Sequence, residues 1–141
     1  MIFTLNGEYY CFGINYVKYI NKITLNEITK IPLVPNYIHG IINFRGDYIS
    51  IIDIKHFLNL KETPIKDKNE IIVLKVDNLK IAVFVDKIVD ITSLPIDMLN
   101  LNDAFEDSFI IGELNYMNNK VLNMLNIEKL FSEENMSIEL R

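Results

Sequence analysis

The sequence predicts an all-β protein made of two similar halves, each a small β-barrel of about five short strands with one short helix. Two observations predict this class. Short apolar stretches separated by hairpin signals run through most of the chain, and related segments recur about half a chain length apart. Short strands joined by tight hairpins tend to close into barrels, because closure removes exposed strand edges.

The repeat consists of two pairs of matching segments in the same order. Gly40–Leu58 matches Gly112–Phe131; the opening glycines lie 72 residues apart (112 − 40), and a downstream Asp/Asn pair lies 73 apart (126 − 53). One extra residue in the second turn, around Asn118–Asn119, accounts for the slip. Phe3–Val17 aligns with Leu74–Ile88 at an offset of 71 (74 − 3). Chance similarity between Ile- and Asn-rich hairpins is the alternative, and the shared order argues against it.

The chain opens with a predicted hairpin. Strands over Ile2–Asn6 and Tyr9–Ile14 flank a turn at Asn6-Gly7-Glu8. Side chains alternate between the two faces of a strand, so the second strand should place two sets of residues on opposite faces. The expected sets are Tyr10, Phe12 and Ile14 on one face and Cys11 and Gly13 on the other.

A second hairpin is predicted in the middle of the first half. Tyr16–Asn21 should continue as extended chain or a short helical turn, and the prolines of Ile31–Pro35 predict a loop. Strands over His39–Arg45 and Tyr48–Asp53 then turn around Gly46-Asp47. Asp53 also predicts a short helix, since its carboxylate can accept hydrogen bonds from the first-turn amides of Ile54–Asn59.

The second half repeats this plan after a polar connection, Thr63–Asn69, that carries Pro64. Asn126 should cap a short helix, Ile127–Phe131, as Asp53 does in the first half. The 141 residues are expected to form a single domain, with subdomain 1 at about 1–62, subdomain 2 at about 70–131 and a polar tail at 132–141. The remaining predicted strands are Ile71–Val76, Leu79–Val85, Lys87–Thr92, Ile110–Tyr116 and Lys120–Leu125.

Composition excludes several classes of function. The net charge is −5, the pI is near 5.0 and no basic stripe is visible, so a nucleic-acid partner is not expected. Cys11 is the only cysteine, which rules out an intramolecular disulfide. The N-terminus lacks a signal-peptide pattern, and no apolar run is long enough for a membrane helix. We therefore expect a cytoplasmic protein that does not insert into a membrane.

No catalytic or metal-binding constellation is visible in the sequence. His39 and His56 fall on different predicted elements, without a cysteine or carboxylate cluster at metal-ligand spacing. Cys11 is interpreted as a packing residue. Asp86 and Asp90 lie four residues apart, with no partner set, and are interpreted as structural. The sequence therefore predicts neither enzyme activity, metal nor cofactor, and places the function in surfaces.

The segment Pro35–Leu58 resembles the CheW family, the coupling scaffold of bacterial chemotaxis. The family pattern is a Pro, an aromatic–aliphatic pair, then a Gly-x-x-Asn-x-Arg-Gly element, and later Asp followed by Leu or Ile. The resemblance extends from Ile2 to Phe131 through the opening hairpin, Val85-Asp86 and the closing Asn126 segment. The matching central residues are Pro35, Tyr37, Ile38, Gly40, Ile41, Asn43, Phe44, Arg45, Gly46, Asp53 and Ile54.

The resemblance implies an all-β fold of two SH3-like five-stranded β-barrel subdomains from an internal duplication, with short helices. It implies a non-enzymatic scaffold that binds the regulatory domain of the histidine kinase CheA. It also implies binding to the cytoplasmic tip of methyl-accepting chemotaxis receptors in a groove between the subdomains. The implied partner-binding residues are Val17, Ile20, Gly40 and Arg45, and the implied structural residues are Asn43, Gly46, Asp53 and Asp86.

Two positions depart from the family pattern. Many relatives have Glu where this chain has Tyr19, and a Glu could form an ion pair with Arg45. We expect Tyr19 instead to stack beneath the Arg45 guanidinium, with the cation within about 6 Å of the ring. Relatives usually have a proline shortly before the Asp-Leu or Asp-Ile pair, in the predicted strand Tyr48–Asp53. This chain has Ser50 at that position, so we expect the strand to pair more continuously.

Other interpretations remain open at this point. The chain could be the regulatory domain of a CheA-type kinase or the CheW-like part of a CheV protein. A small-molecule-binding or enzymatic β-barrel is the alternative from a different class, and it would require an apolar pocket with converging polar groups.

Overall fold

The computed structural model describes residues 1–101, 108–132 and 135. Within these residues, eleven strands and two short α-helices are joined by turns and short 3₁₀ segments. Most of the tail expected at 132–141 lies outside the described residues. The elements are β1 (Ile2–Leu5), β2 (Glu8–Cys11), β3 (Val17–Thr24), β4 (Ile38–Phe44), β5 (Asp47–Ile52), α1 (Ile54–Phe57), β6 (Lys68–Val76), β7 (Leu79–Val85), β8 (Lys87–Asp90), β9 (Asn100–Leu101), β10 (Ile110–Tyr116), β11 (Lys120–Leu125) and α2 (Ile127–Leu130).

The strands form two sheets. The first sheet has the order β8-β1-β2-β11-β10-β9, and the second has the order β3-β6-β7-β5-β4. Neighbouring strands are antiparallel except for one parallel pair in each sheet, β2 with β11 and β5 with β7. The predicted all-β class with short helices is confirmed. None of the described helices has the length and apolar composition needed to span a bilayer.

The internal repeat explains why the two sheets look alike. In the sequence alignment β1 and β2 correspond to β6 and β7, and β4 and β5 correspond to β10 and β11. If β3 is also matched to β8, the five corresponding strands follow the same order in both sheets. The turn between β4 and β5 holds two residues and that between β10 and β11 holds three, so the extra residue in the second turn is confirmed.

Each sheet takes strands from both halves of the chain. The first sheet combines strands from residues 2–11 with strands from 87–125, and the second sheet contains the strands between residues 17 and 85. This distribution differs from the expected division of the chain near residues 62–70. Hairpin signals and side-chain alternation define each strand, but they do not encode which hairpin lies beside which.

Three apolar cores hold the sheets together. The central core lies between the two sheets and contains Phe3 and Leu5 of β1 together with Ile72 and Leu74 of β6. A second core lies on the other face of the second sheet, around Ile71 and Val73 of β6, and a third lies on the other face of the first sheet. The alternation along β6 thus supplies two cores, because successive side chains point to opposite faces. The third core consists of Ile2, Cys11, Leu114 and Leu122.

The structure corrects the expected alternation at one position. Tyr10 and Phe12 lie in the central core and Cys11 lies in the third core, as predicted. Ile14 does not join them, because β2 ends at Cys11 and Ile14 begins a 3₁₀ turn in which half of its surface is exposed.

Two glycines occupy equivalent positions where the backbone of a crossing segment comes close. A Cβ on Gly40 would lie 2.5 Å from the carbonyl oxygen of Thr29, and a Cβ on Gly112 would lie 2.5 Å from that of Asn100. In each hairpin, the register in which the two strands pair shifts immediately before the glycine. A side chain at either position would force the crossing segment away, which explains why glycine starts both copies of the repeat.

The two short helices have equivalent caps, as predicted. The Asp53 carboxylate accepts a hydrogen bond from the Lys55 amide at 3.0 Å, and the Asn126 side chain accepts one from the Lys129 amide at 3.1 Å. The amide of Asp53 donates to the Tyr37 carbonyl. These caps fix the start of each helix immediately after a hairpin strand. Both helices are one turn long and end before the predicted Asn59 and Phe131.

An ion pair between a buried lysine and a partly exposed aspartate joins elements of both sheets. The Lys55 ammonium, with only 6% of its side chain exposed, donates to Asp86 at 2.8 Å and to the Thr63 hydroxyl at 3.0 Å. The other oxygen of Asp86 accepts the amide of Asn6, in the β1–β2 turn, at 2.6 Å. Asn6 in turn donates to the Lys61 carbonyl. Asp86 therefore ties α1 and β7 of the second sheet to the first hairpin.

We expect Gly40→Ala to lower the free energy of unfolding by about 2–4 kcal/mol, because it adds overpacking to the cost of a non-glycine residue at positive φ. Gly7→Ala is the control, since its φ is +80° but a Cβ added there would have no atom within 4 Å. The control should lose about 1–2 kcal/mol. Urea unfolding measures both, and equal losses would contradict a role for the Thr29 contact.

Asp86→Ala should destabilise the protein by about 1–3 kcal/mol, because it removes the carboxylate that accepts from the buried Lys55 ammonium, at a site that solvent partly reaches. Lys55→Met should cost less, since Asp86 is one-third exposed and keeps its bond to the Asn6 amide. The double variant should be more stable than Asp86→Ala alone in urea unfolding. A double variant that loses the sum of the two single effects would argue against the ion pair.

Cys11 should react slowly with thiol reagents in the folded protein. Its side chain is 1% exposed, and burial raises the pKa of the thiol to about 11. Relative to the ordinary value of 9.0, this shift lowers the thiolate fraction near pH 8 by about 100-fold. We expect modification by a disulfide reagent at pH 8 to be slow until urea unfolds the chain. Rapid reaction of the native protein would contradict the packing assignment.

Candidate functional site

The edge strand β3 carries two of the residues that the sequence singled out. Val17 is half-buried and packs against the central core, whereas Ile20 is 43% exposed. β3 pairs only with β6 inside the second sheet, so its other backbone edge is not part of that sheet's ladder. Between the two residues lies Tyr19, which packs against the second-sheet core. β3 thus presents an exposed apolar side chain, Ile20, at the end of the second sheet's strand order.

Arg45 occupies the turn between β4 and β5. The turn holds Arg45 and Gly46, both at positive φ (+53° and +86°), as in type I′ hairpins, and Phe44 pairs with Asp47 across it. The turn therefore begins one residue earlier than predicted from Gly46-Asp47. The Asn43 side chain accepts a hydrogen bond from the Gly46 amide at 3.1 Å and closes the turn.

The expected stacking of Arg45 on Tyr19 is confirmed. The guanidinium carbon lies 4.4 Å from the centre of the Tyr19 ring and 5.3 Å from that of Phe44. The two rings are themselves in contact, with centres 4.9 Å apart. Tyr19 and Phe44 come from β3 and β4, the opposite edges of the second sheet, so the sheet curls until its edges meet under Arg45.

A second cation lies next to this cluster and is already paired. The Lys80 ammonium donates to the Asp47 carboxylate at 2.8 Å. This hydrogen bond is the main reason that the pKa of Lys80 is raised, and the pair is exposed to solvent. We name the surface formed by Tyr19, Phe44, Arg45, Asp47 and Lys80 the hairpin patch. Its aromatic rings support the Arg45 guanidinium, and its second cation, Lys80, is paired with Asp47.

The structure separates Gly40 from the hairpin patch. Gly40 is buried farther along β4, and the backbone that approaches it belongs to Thr29 of the same chain. The resemblance assigned Gly40 to partner binding; the geometry gives it a structural task, and a partner role for it remains a prediction. Asp53 and Asp86 also lie away from the patch, in a helix cap and in the ion pair with Lys55.

A small polar pocket of about 110 Å³ lies beside the helix cap. His39 and Asp53 line it and are bonded to each other at 2.9 Å, and the Lys55–Asp86 pair lines it as well. Within the described residues, no buried side-chain polar atom lacks a hydrogen-bond partner and no group of three potential metal ligands is found. The polar groups of this pocket satisfy one another rather than converging on an empty centre.

Sequence reasoning missed two members of the hairpin patch. Phe44 was noted only as part of the family pattern, and Lys80 carried no signal because its partner, Asp47, lies 33 residues away. The parallel pairing of β5 with β7 brings the segments of Asp47 and Lys80 together. In the repeat, Lys120 is equivalent to Asp47 and Tyr9 is equivalent to Lys80. The Lys120 ammonium donates to the Tyr9 hydroxyl at 2.7 Å, so the repeat relates this pair to the contact between Asp47 and Lys80.

Comparison with known proteins shows the family to which the chain belongs. A family model described as the CheW-like domain matches residues 1–135. The chain is 33% identical over 94 residues to the chemotaxis protein CheW of Bacillus subtilis, covering 67% of this chain and 59% of that protein, less than two thirds of its length. It is 28% identical over 142 residues to CheW of Klebsiella aerogenes, covering 98% and 84%.

Similarity extends to a CheA protein and to a solved structure. The chain is 30% identical over 129 residues to the chemotaxis protein CheA of Borreliella burgdorferi, covering 89% of this chain and 14% of that protein. The crystal structure of the scaffolding protein TtCheW from Thermoanaerobacter tengcongensis matches with a TM-score of 0.81 at 25% identity, covering 96% and 92%. This match confirms the predicted pair of SH3-like subdomains. The chain therefore belongs to the family of CheW-like domain proteins.

Proposed function

We propose that this protein is a non-enzymatic chemotaxis scaffold that couples receptors to the histidine kinase CheA in the cytoplasm. The observation that carries the proposal is the match of nearly the whole chain to the CheW-like domain, with the fold of a scaffolding CheW.

The kinase partner is proposed to be the regulatory domain of CheA. The similarity of this chain to a segment of a CheA protein suggests that the kinase carries a domain of the same type. Two domains of the same type would carry related sheet edges and hairpins at their surfaces. We assign the kinase contact to the second sheet, where Ile20 and Arg45 are exposed.

The receptor partner is proposed to be the cytoplasmic tip of a methyl-accepting chemotaxis receptor, lying in a surface groove along the junction of the two sheets. The edge strands β3 and β8 flank the sheets' junction, where the Ile88 amide of β8 donates to Glu70 of β6 at 2.8 Å. Val17 borders this region, and the exposed apolar residues Val89 and Ile91 lie on or beside β8. An apolar strip of this kind suits the apolar face of a helix.

The coupling role predicts that Ile20→Asp weakens binding to the CheA regulatory domain of the same organism by about tenfold or more, about 1.4 kcal/mol, because it places a charge in an apolar contact. Isothermal titration measures the affinity. Val121→Asp is the matched control, since Val121 is 44% exposed on a strand of the first sheet. Thermal unfolding of both variants checks that they remain folded.

Saturable binding by the wild type and the control, with loss in Ile20→Asp, would support the proposal. If the wild type does not bind at about 50 µM, its affinity is weaker than that of a stable signalling contact. This result would argue against the coupling role. Equal losses in both aspartate variants would instead remove the assignment of the contact to β3.

A further inference from the structure

The Arg45 guanidinium is held in place but is not used by the rest of the chain. It stacks on two rings, at 4.4 Å from Tyr19 and 5.3 Å from Phe44. Among the described residues, none accepts a hydrogen bond from Arg45 or forms an ion pair with it, whereas the neighbouring Lys80 is paired with Asp47 at 2.8 Å. The hydrogen-bond donors of Arg45 therefore remain available at an exposed position.

Stacking leaves the donors of an arginine free. Aromatic rings contact the flat face of a guanidinium, whereas its five N–H groups point outward in the plane of the group. Two of these N–H groups match the two oxygens of a carboxylate in a bidentate pair. An arginine stacked on Tyr19 and Phe44 is thus shaped to bind a carboxylate that approaches from solvent.

The local backbone limits the freedom of Arg45 before any partner arrives. Arg45 has a positive φ inside a two-residue turn, and Asn43 closes that turn through the Gly46 amide. The two rings come from opposite edges of a curled sheet, so they fix the direction of the side chain. Binding then costs less side-chain entropy than it would for an unsupported surface lysine.

Charge favours an acidic partner at this surface. The chain has a net charge of −5, yet the hairpin patch carries two cations, Arg45 and Lys80, against one carboxylate, Asp47. A carboxylate is attracted to the patch and repelled by most of the remaining surface. Charge complementarity of this kind determines orientation and partner choice more than total affinity.

We propose that Arg45, with Tyr19 as its positioning residue, binds an aspartate or glutamate side chain of the protein partner through a bidentate ion pair. This inference rests on the proposed coupling function and names the partner chemistry at one of its contacts. Tyr19 matters because a glutamate at that position would lie next to the guanidinium and occupy its donors from within the chain. The tyrosine supports the cation and leaves its donors for the partner.

The first test measures affinity for the CheA regulatory domain in four variants at low and moderate salt. Arg45→Lys keeps the charge but loses the bidentate geometry, and Tyr19→Glu supplies an internal acceptor; each should weaken binding about fivefold or more. Tyr19→Phe keeps the stack and should stay within about twofold of the wild type. Lys66→Gln, which removes an exposed cation away from the patch, is the charge control and should behave like Tyr19→Phe.

A second test does not depend on the kinase. The chain has two arginines, Arg45 and Arg141, so the Nε–Hε signals are few and Arg45→Lys assigns them. Titration of the ¹⁵N-labelled protein with a tetraglutamate peptide should shift the Arg45 signal in the wild type and in Tyr19→Phe. The shift should be absent in Tyr19→Glu, although that variant remains folded by its amide spectrum.

The two tests separate failure of this inference from failure of the coupling function. Absence of kinase binding with a retained Arg45 shift would argue against the coupling role while supporting the carboxylate site. Kinase binding that is unchanged in both Arg45→Lys and Tyr19→Glu would overturn the carboxylate site while leaving the coupling role standing. An Arg45 signal that the peptide leaves unmoved in the wild type would also overturn it.

Discussion

The packing of both sheets on one apolar core is the constraint on which the rest of the structure depends. Phe3 and Leu5 of the first sheet meet Ile72 and Leu74 of the second sheet in this core, and neither sheet could bury that face alone. Because apolar packing is close but carries little directional information, the angle between the sheets needs further contacts. The Lys55–Asp86 pair and its bond to the Asn6 amide supply directional contacts at one end of the junction.

The duplication makes the exchange of strands between the halves possible. Each half of the chain supplies one hairpin to one sheet and another hairpin to the other, so neither half holds a complete sheet. The same arrangement places a crossing segment over Gly40 and another over Gly112, each with a carbonyl oxygen 2.5 Å from where a Cβ would lie. Folding therefore has to bring distant parts of the chain together before either sheet is finished, which raises the mean sequence separation of contacts.

The surfaces left free by this packing fit a scaffold that works by contact rather than by chemistry. The polar groups around the small pocket are bonded to one another, so they stabilise the junction of α1, β4 and β7. By contrast, β3 and the hairpin patch present exposed apolar surface and a supported cation on one sheet. These are the features that a helical or acidic protein surface can use.

The sequence by itself determined most of the strands, the hairpins, the helix caps and the repeat, because these depend on local alternation, turn residues and capping side chains. It gave no signal for the two-residue strand β9 and left the β3 segment open between strand and helical turn. It also predicted the Arg45–Tyr19 contact, since the family pattern places an ion pair at these positions. Only the tertiary structure decided which hairpins share a sheet, which backbone approaches Gly40, and that Lys55 pairs with Asp86. Those outcomes depend on contacts between residues far apart in the chain, and the single sequence carries no local signal for which distant strands become neighbours.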